Sequence, residues 1–120
     1  QSRGLGDVYK RQEFTVAPRF KSQSLPACHE WFIEFDGNVV EINNFGSLLD
    51  SELQKQNKYY KDLIDGKIIE RPVIRKIIKG GFKKYMSSIG KLGGQNKVPK
   101  IADNREIADR LKKLNLIESI

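Results

Sequence analysis

The stretch Gly90 to Lys100, GKLGGQNKVPK, combines residue types that can carry a charge to a ligand. Gly93 and Gly94 free the backbone from the angles a Cβ imposes, Gln95 and Asn96 add amide donors, and Lys97 sets a compact ammonium just beyond them. Such a cation can meet a phosphate, or an oxyanion that forms only during a reaction. Pro99 stiffens the exit. The stretch is not a Walker loop, because the spacing G-x-x-x-x-G-K-S/T is missing and Val98 follows Lys97. On spacing alone, a basic surface loop is the plainer explanation.

Other chemistries have less to work with. One histidine, His29, and one cysteine, Cys28, cannot assemble the three or four N and S ligands of a zinc site, so no metal ligands are assigned. His29 precedes a strand, where its ring is expected to hydrogen-bond a neighbouring loop in place of moving a proton. Cys28 reads as a small, partly buried side chain and not a nucleophile. There is no Gly-x-Ser-x-Gly elbow for a serine nucleophile. Glu30 and Glu34 are expected on the solvated edge of a strand, not as a catalytic pair.

The 120 residues have room for one domain and one modest core. With 38% hydrophobic and 31% charged residues, and no apolar run of about 18, the composition is that of a soluble globular domain and not a membrane span. A lone cysteine permits no internal disulfide, and the expected compartment is the reducing cytoplasm. Residues 1–12, QSRGLGDVYKRQ, follow neither helix nor strand periodicity and read as a non-native, adaptor-like leader; the domain is expected over residues 13–120. Arg3, Lys10 and Arg11 against Asp7 account for two of the seven net positive charges, leaving +5. That excess, with Lys76, Lys79, Lys83 and Lys84 around a glycine pair, makes a small basic nucleic-acid-binding module the alternative reading. Against it, Trp31 shares its face with Ile33 and Phe35, an arrangement of a core and not of a stacking platform.

The elements that must position the loop follow from periodicity. EFTVAPRF (Glu13 to Phe20) predicts a short strand that Pro18 ends or pushes to a sheet edge. EWFIEF (Glu30 to Phe35) alternates with period two, the pattern of a half-buried strand. VVEI (Val39 to Ile42) fits either a hairpin strand or an ordered loop. From Ser47 to Ile64 the apolar positions predict one long helix, opening at Ser47 with Asp50 near its positive end and closing on a left-handed Gly66. PVIRKIIK (Pro72 to Lys79) suits either period, and its β-branched residues favour strand. Phe82, Tyr85, Met86 and Ile89 mark a short helix ending at Gly90. Asp103 and Glu106, spaced as a capping box, open a last helix with Ile107, Leu111 and Leu114 on one stripe. The order predicts an α+β domain, a small mixed sheet of three to four strands covered on one face by two to three helices.

Three segments in this order carry a resemblance. HEWFIEF (His29 to Phe35), GGF (Gly80 to Phe82) and above all GKLGGQNKVPK (Gly90 to Lys100), with FTVAP (Phe14 to Pro18) ahead of them, resemble the C-terminal region of the auxin-responsive (Gretchen Hagen) family of acyl acid-amido synthetases. The likeness runs from about Glu13 to the end, and Gly-Gly-Gln-Asn-Lys is closer to bacterial than to plant versions.

The resemblance implies an adenylate-forming ligase. In that family a large N-terminal domain holds ATP, with Mg, and the acyl acid, and a small C-terminal domain closes over them as a lid. A carboxylic acid is adenylated and then passed to an amine, an amino acid in the plant members. The family motif Gln-x-Lys-x-Pro-Arg falls on Gln95, Lys97, Pro99 and Lys100. By resemblance Lys97 is the catalytic cation, and Gln95, Lys97 and Lys100 approach the nucleotide phosphates or acyl carboxylate. Lys100 stands where arginine is usual, and lysine lacks the planar two-pronged fork of that residue. The implied partners are the N-terminal domain, the acyl acid and the amino acid; by itself the C-terminal piece is expected to be inactive.

Overall fold

The computed structural model describes residues 13–35, 42–91 and 98–118. Three strands form one mixed sheet in the order β1-β2-β3: β1 (Glu13–Arg19), β2 (Cys28–Glu34) and β3 (Val73–Lys76). β1 and β2 are antiparallel with Val16 opposite Trp31, and β2 and β3 are parallel with Trp31 opposite Ile74. Four helices stand among the described residues: α1 (Ile42–Gln56), α2 (Lys58–Asp65), α3 (Gly81–Ser88) and α4 (Glu106–Lys113). The α+β class and the small mixed sheet agree with the sequence reading, with one helix more than expected.

β2 is the centre of the sheet, and both its faces are buried. Trp31 and Ile33 pack with Phe14, Val16 and Ile74 against Phe45 and Leu49 of α1. On the other face Phe32 joins Ala17 and Ile77 under Phe82, Tyr85 and Met86 of α3 and Ala108 and Leu111 of α4. Helices therefore cover two faces and not the one expected. The alternation in EWFIEF misled because a strand covered on both sides needs apolar residues on both, and Phe32 supplied the second face.

Glu30 and Glu34 lie on that second face, and the expectation of a solvated edge is overturned for both. Glu30 is only 1% exposed. Its Oε2 accepts from Arg75 Nε at 2.8 Å and its Oε1 from Arg105 Nη1 at 2.5 Å. Burial alone pushes the Glu30 carboxyl up, but the hydrogen bonds and charges of Arg105 and Arg75 outweigh it and hold the group below its ordinary value. Glu34 accepts from the backbone N–H groups of Gly80 and Phe82, at 2.8 and 3.1 Å, and so caps the start of α3, where free N–H groups and the helix dipole both favour an anion.

The edges of the sheet are closed by irregular chain. On the outer side of β1, Val16 N donates to Lys100 O at 2.9 Å and Ala102 N donates to Val16 O at 2.8 Å. Because Val16 turns its backbone outward, Pro18, two residues on, directs its missing N–H outward as well, so a proline fits inside this strand. Beyond β3, Ile78 N donates to Leu116 O and Glu118 N to Lys76 O.

The helical region departs from the sequence reading in detail. The single helix expected from Ser47 to Ile64 begins earlier, at Ile42, and breaks at Asn57, whose Oδ1 accepts from Tyr60 N and caps α2. Asp50 sits within α1, buried, accepting from Tyr60 Oη and Gln54 Nε2, each at 2.9 Å. That buried carboxylate links α1 to α2. Gly66 has φ −81°, and the left-handed turn falls on Lys67 at φ 60°. The Asp103 capping box does not form: Asn104 Oδ1 accepts from Glu106 N instead, and Asp103 bonds the Asn104 amide. The buried stripe of α4 is Ala108 and Leu111, with Leu114 36% exposed. Of VVEI, only the backbone of Ile42 lies within the described residues, at the start of α1.

Two outcomes follow for stability. A Cβ at Gly81 would stand 2.4 Å from Ile77 Cγ2, so Gly81→Ala should cost about 1–3 kcal/mol by overpacking α3 against β3, measurable by urea unfolding; an unchanged midpoint would refute the close approach. Because the folded Glu30 carboxyl is held below its unfolded value, its stabilisation is full above the ordinary carboxylate range and is lost as pH falls through the lowered value. Glu30→Gln should therefore cost about 3 kcal/mol at neutral pH and flatten the acid limb of a stability–pH curve. A variant as stable as the parent at pH 7, with an equally steep acid limb, would remove Glu30 from the core.

Candidate functional site: the feet of the glycine-rich loop

The two feet of the glycine-rich loop are well defined. At the first, α3 ends with Gly90 at φ 74°, a left-handed angle that glycine accepts without strain, and Lys91 N donates to Met86 O at 2.9 Å. At the second, Val98 is buried in the core beneath α3 and α4, and the chain then runs beside β1 through Lys100 and Ala102. Gln95 and Lys97, together with Gly93 and Gly94, lie outside the described residues. Val98, the next residue in sequence after Lys97, is held in the core.

Lys100 is exposed and sits on the outer side of β1. Its Nζ lies 4.3 Å from the centroid of the Phe14 ring, a cation–π contact worth about 0.5–1 kcal/mol at such a site. A single aromatic contact in water leaves the ammonium able to exchange partners. Lys91 is exposed at the other foot. An open cleft of about 660 Å³ between α3 and α4, lined by Tyr85, Ile89, Glu106 and Arg110, starts beside that foot.

The remaining residues singled out in the sequence have structural places. Cys28 is buried at the start of β2, and desolvation pushes its thiol up, away from the thiolate a nucleophile needs. The His29 ring lies 6.3 Å from that of Tyr60, at 30° to it, in place of the loop hydrogen bond expected. Tyr60 is held strongly protonated, first by burial and then by the carboxylate of Asp50, for which it is a donor. Trp31 is in the core with its ring centroid 5.4 Å from that of Phe14, so it offers no stacking surface to a nucleic acid. Lys76, one of the four lysines behind that alternative, pairs with Glu118 at 3.4 Å. Among the described residues no three histidine, cysteine or acidic side chains gather as a metal site, and no helix is long and apolar enough to cross a membrane.

Sequence reasoning put Glu30 on a solvated edge and did not single out Arg105. Arg105 Nη1 also donates to Pro18 O at 3.2 Å, so this one guanidinium joins β1, β2 and the strip that follows the loop. A signal was present: Phe32, between the two glutamates, belongs to the same face, and an apolar aromatic there marks a face that is not solvated.

Comparison with known proteins agrees with this architecture. The fold is similar to the solved structure of GH3.15 acyl acid amido synthetase, with TM-score 0.67 and 18% identity over 89% of this chain and 20% of that one. It is also similar to AtGH3.15 acyl acid amido synthetase in complex with 2,4-DB, with TM-score 0.64 and 19% identity over the same shares. The chain thus spans about a fifth of the length of the structures it matches. A search of curated proteins gave no match. The model of the GH3 family C-terminal domain matches residues 4–106, which takes in the central strand, the glycine pair ahead of α3 and both feet of the loop: the chain belongs to the GH3 family and carries its C-terminal domain.

Proposed function

We propose that this domain is the lid of an ATP-dependent acyl acid-amido synthetase, and that Lys97 is the cation it brings to the reacting phosphate. Family membership supports the reaction class. The observation that carries the assignment to Lys97 is the anchoring of the loop, which leaves a capped helix end at Lys91 and rejoins the core at Val98. A short segment held at both ends by a packed domain moves with that domain, so closure would deliver its lysine as a unit.

The chemistry proposed has two steps. In the first, a carboxylate oxygen of the acyl acid attacks the α-phosphorus of ATP, the bond to the β-phosphate oxygen breaks, and pyrophosphate leaves behind an acyl-adenylate. In the second, an amine, most simply that of an amino acid, attacks the acyl carbonyl, AMP departs with the bonding electrons, and the nitrogen gives up a proton to solvent. Negative charge grows at the α-phosphate in the first step. A lysine that arrives only in the closed state stabilises that transition state more than the bound ground state, which is the condition for raising kcat. Gln95 would add an amide donor beside it. Lys100, at present over the Phe14 ring, would contribute positive field at the second foot and not a bidentate contact. ATP, Mg and the acyl acid would be held mainly by the N-terminal domain, in the cytoplasm.

A full-length synthetase containing this domain, carrying Lys97→Ala, should lose about 10²–10³-fold in acid-dependent pyrophosphate exchange, the effect of removing one transition-state donor. Exchange at the parental rate would take Lys97 out of the adenylation step.

A further inference from the structure

At the opposite edge of the sheet from Lys100, an open cleft of about 260 Å³ lies between β3 and the end of α4, lined by Arg75, Lys112, Asn115 and Ile117. Two of these residues are cations and a third carries an amide. Arg75 is anchored on its inner side, where Nε donates to Glu30 Oε2 at 2.8 Å, and among the described residues its two terminal nitrogens meet no acceptor. Its side chain stays 36% exposed. Glu30 itself is enclosed and does not line the cleft. Lys112 and Asn115 are exposed, and their side chains likewise have no partner among the described residues.

The end of a helix would ordinarily repel an anion, because its last carbonyls form the negative pole. Here those carbonyls are occupied. Leu116 N donates to Leu111 O and Asn115 N to Lys112 O, the paired bonds of a Schellman turn, and Leu114 N donates to Arg110 O. Asn115 holds the left-handed position of that turn at φ 58°, where glycine is the usual occupant. Asparagine keeps an amide on the wall of the cleft that glycine would not supply. Ile117 is bridged to Ile77, just past β3, so helix end and strand are fixed relative to each other.

Charge and size together select the ligand. Arg75, Arg105 and Lys112 stand against the one carboxylate of Glu30, an excess of two positive charges that a dianion matches and a lone carboxylate does not. The cleft is smaller than the roughly 300–1,000 Å³ of sites that enclose a whole small molecule, so it fits a small anionic group and not a nucleotide. We propose that the cleft between β3 and the end of α4 binds a phosphate dianion, free or as the terminus of a phosphomonoester, through Arg75, Lys112 and Asn115. This does not rest on the reading of Lys97. The central strand β2 separates the two edges of the sheet, so an anion held here is a second one and not the reacting phosphate.

The test is a titration of this chain with inorganic phosphate, at a pH where it is a dianion and against sodium chloride of equal ionic strength, followed by NMR. Saturable shifts are expected at the Lys112, Asn115 and Ile117 amides and at the Arg75 Nε–H, with half-saturation in the millimolar range. Lys112→Gln should raise the half-saturation concentration about tenfold, the effect of losing one charged hydrogen bond, and Asn115→Gly about threefold. Neither change disturbs the core, since Lys112 is exposed and glycine suits the φ of Asn115. Lys113→Gln removes the same charge from the next residue of α4, which lines the other cleft, and should leave phosphate binding unchanged. Glycerol phosphate in place of inorganic phosphate tells the two sources apart: tighter binding identifies a phosphomonoester as the ligand, weaker binding free phosphate. Shifts that follow ionic strength alone, or that centre on Lys79, Lys83 and Lys84, would overturn the proposal. So would equal losses in Lys112→Gln and Lys113→Gln, or acetate binding as tightly as phosphate.

Discussion

A carboxylate taken out of water between two guanidinium groups is the constraint around which this domain is organised. Glu30 stands on the central strand, almost wholly inaccessible, and each of its oxygens is claimed by an arginine from a different part of the chain. Removing a charge from water costs several kcal/mol, and only good geometry with both partners offsets it. Any arrangement that brought Phe32 and α4 together without Arg75 and Arg105 would strand that charge. Loss of either partner would leave that charge uncompensated in the core.

The same logic runs along β2. Phe32 fills the core beneath α3 and α4, and Glu34 meets the N-terminus of α3, so one alternate row of a single strand supplies an ion-pair acceptor, a core side chain and a helix cap. The opposite row, Trp31 and Ile33, packs beneath α1. Close packing of α3 also requires the absence of a side chain at Gly81, where Ile77 leaves no space. Gly81 thus is the contact that lets a helix start directly against the sheet, while Gly80 supplies the left-handed turn into it at φ 78°, and α3 in turn ends where the glycine-rich loop begins.

Much of the fold was readable from residue patterns. The strands at EFTVAPRF and EWFIEF, the third at Val73, the short helix from Gly81 and the terminal helix all stand near their expected places, because each is written in local periodicity and turn chemistry. The misreadings share a cause. The break at Asn57, the left-handed Lys67 in place of Gly66 and the unused Asp103 are end effects, decided by whichever of several nearby groups tertiary contacts favour. The burial of Glu30 and the capping role of Glu34 were hidden because period two gives the two faces of a strand and not what covers them.

By itself the sequence determined the order of the main elements, the α+β class, and a set of motifs specific enough to resemble one family over most of the chain. These properties depend on residue type and short spacing, which are properties of the string. Tertiary structure alone decided that both faces of β2 are covered, that Arg75 and Arg105 converge on one carboxylate 45 and 75 residues away, and that the exit of the loop lies along the outer side of β1. Such contacts cannot be read locally, since the free energy that selects them comes from burying distant groups together, and it exists only when the chain has folded.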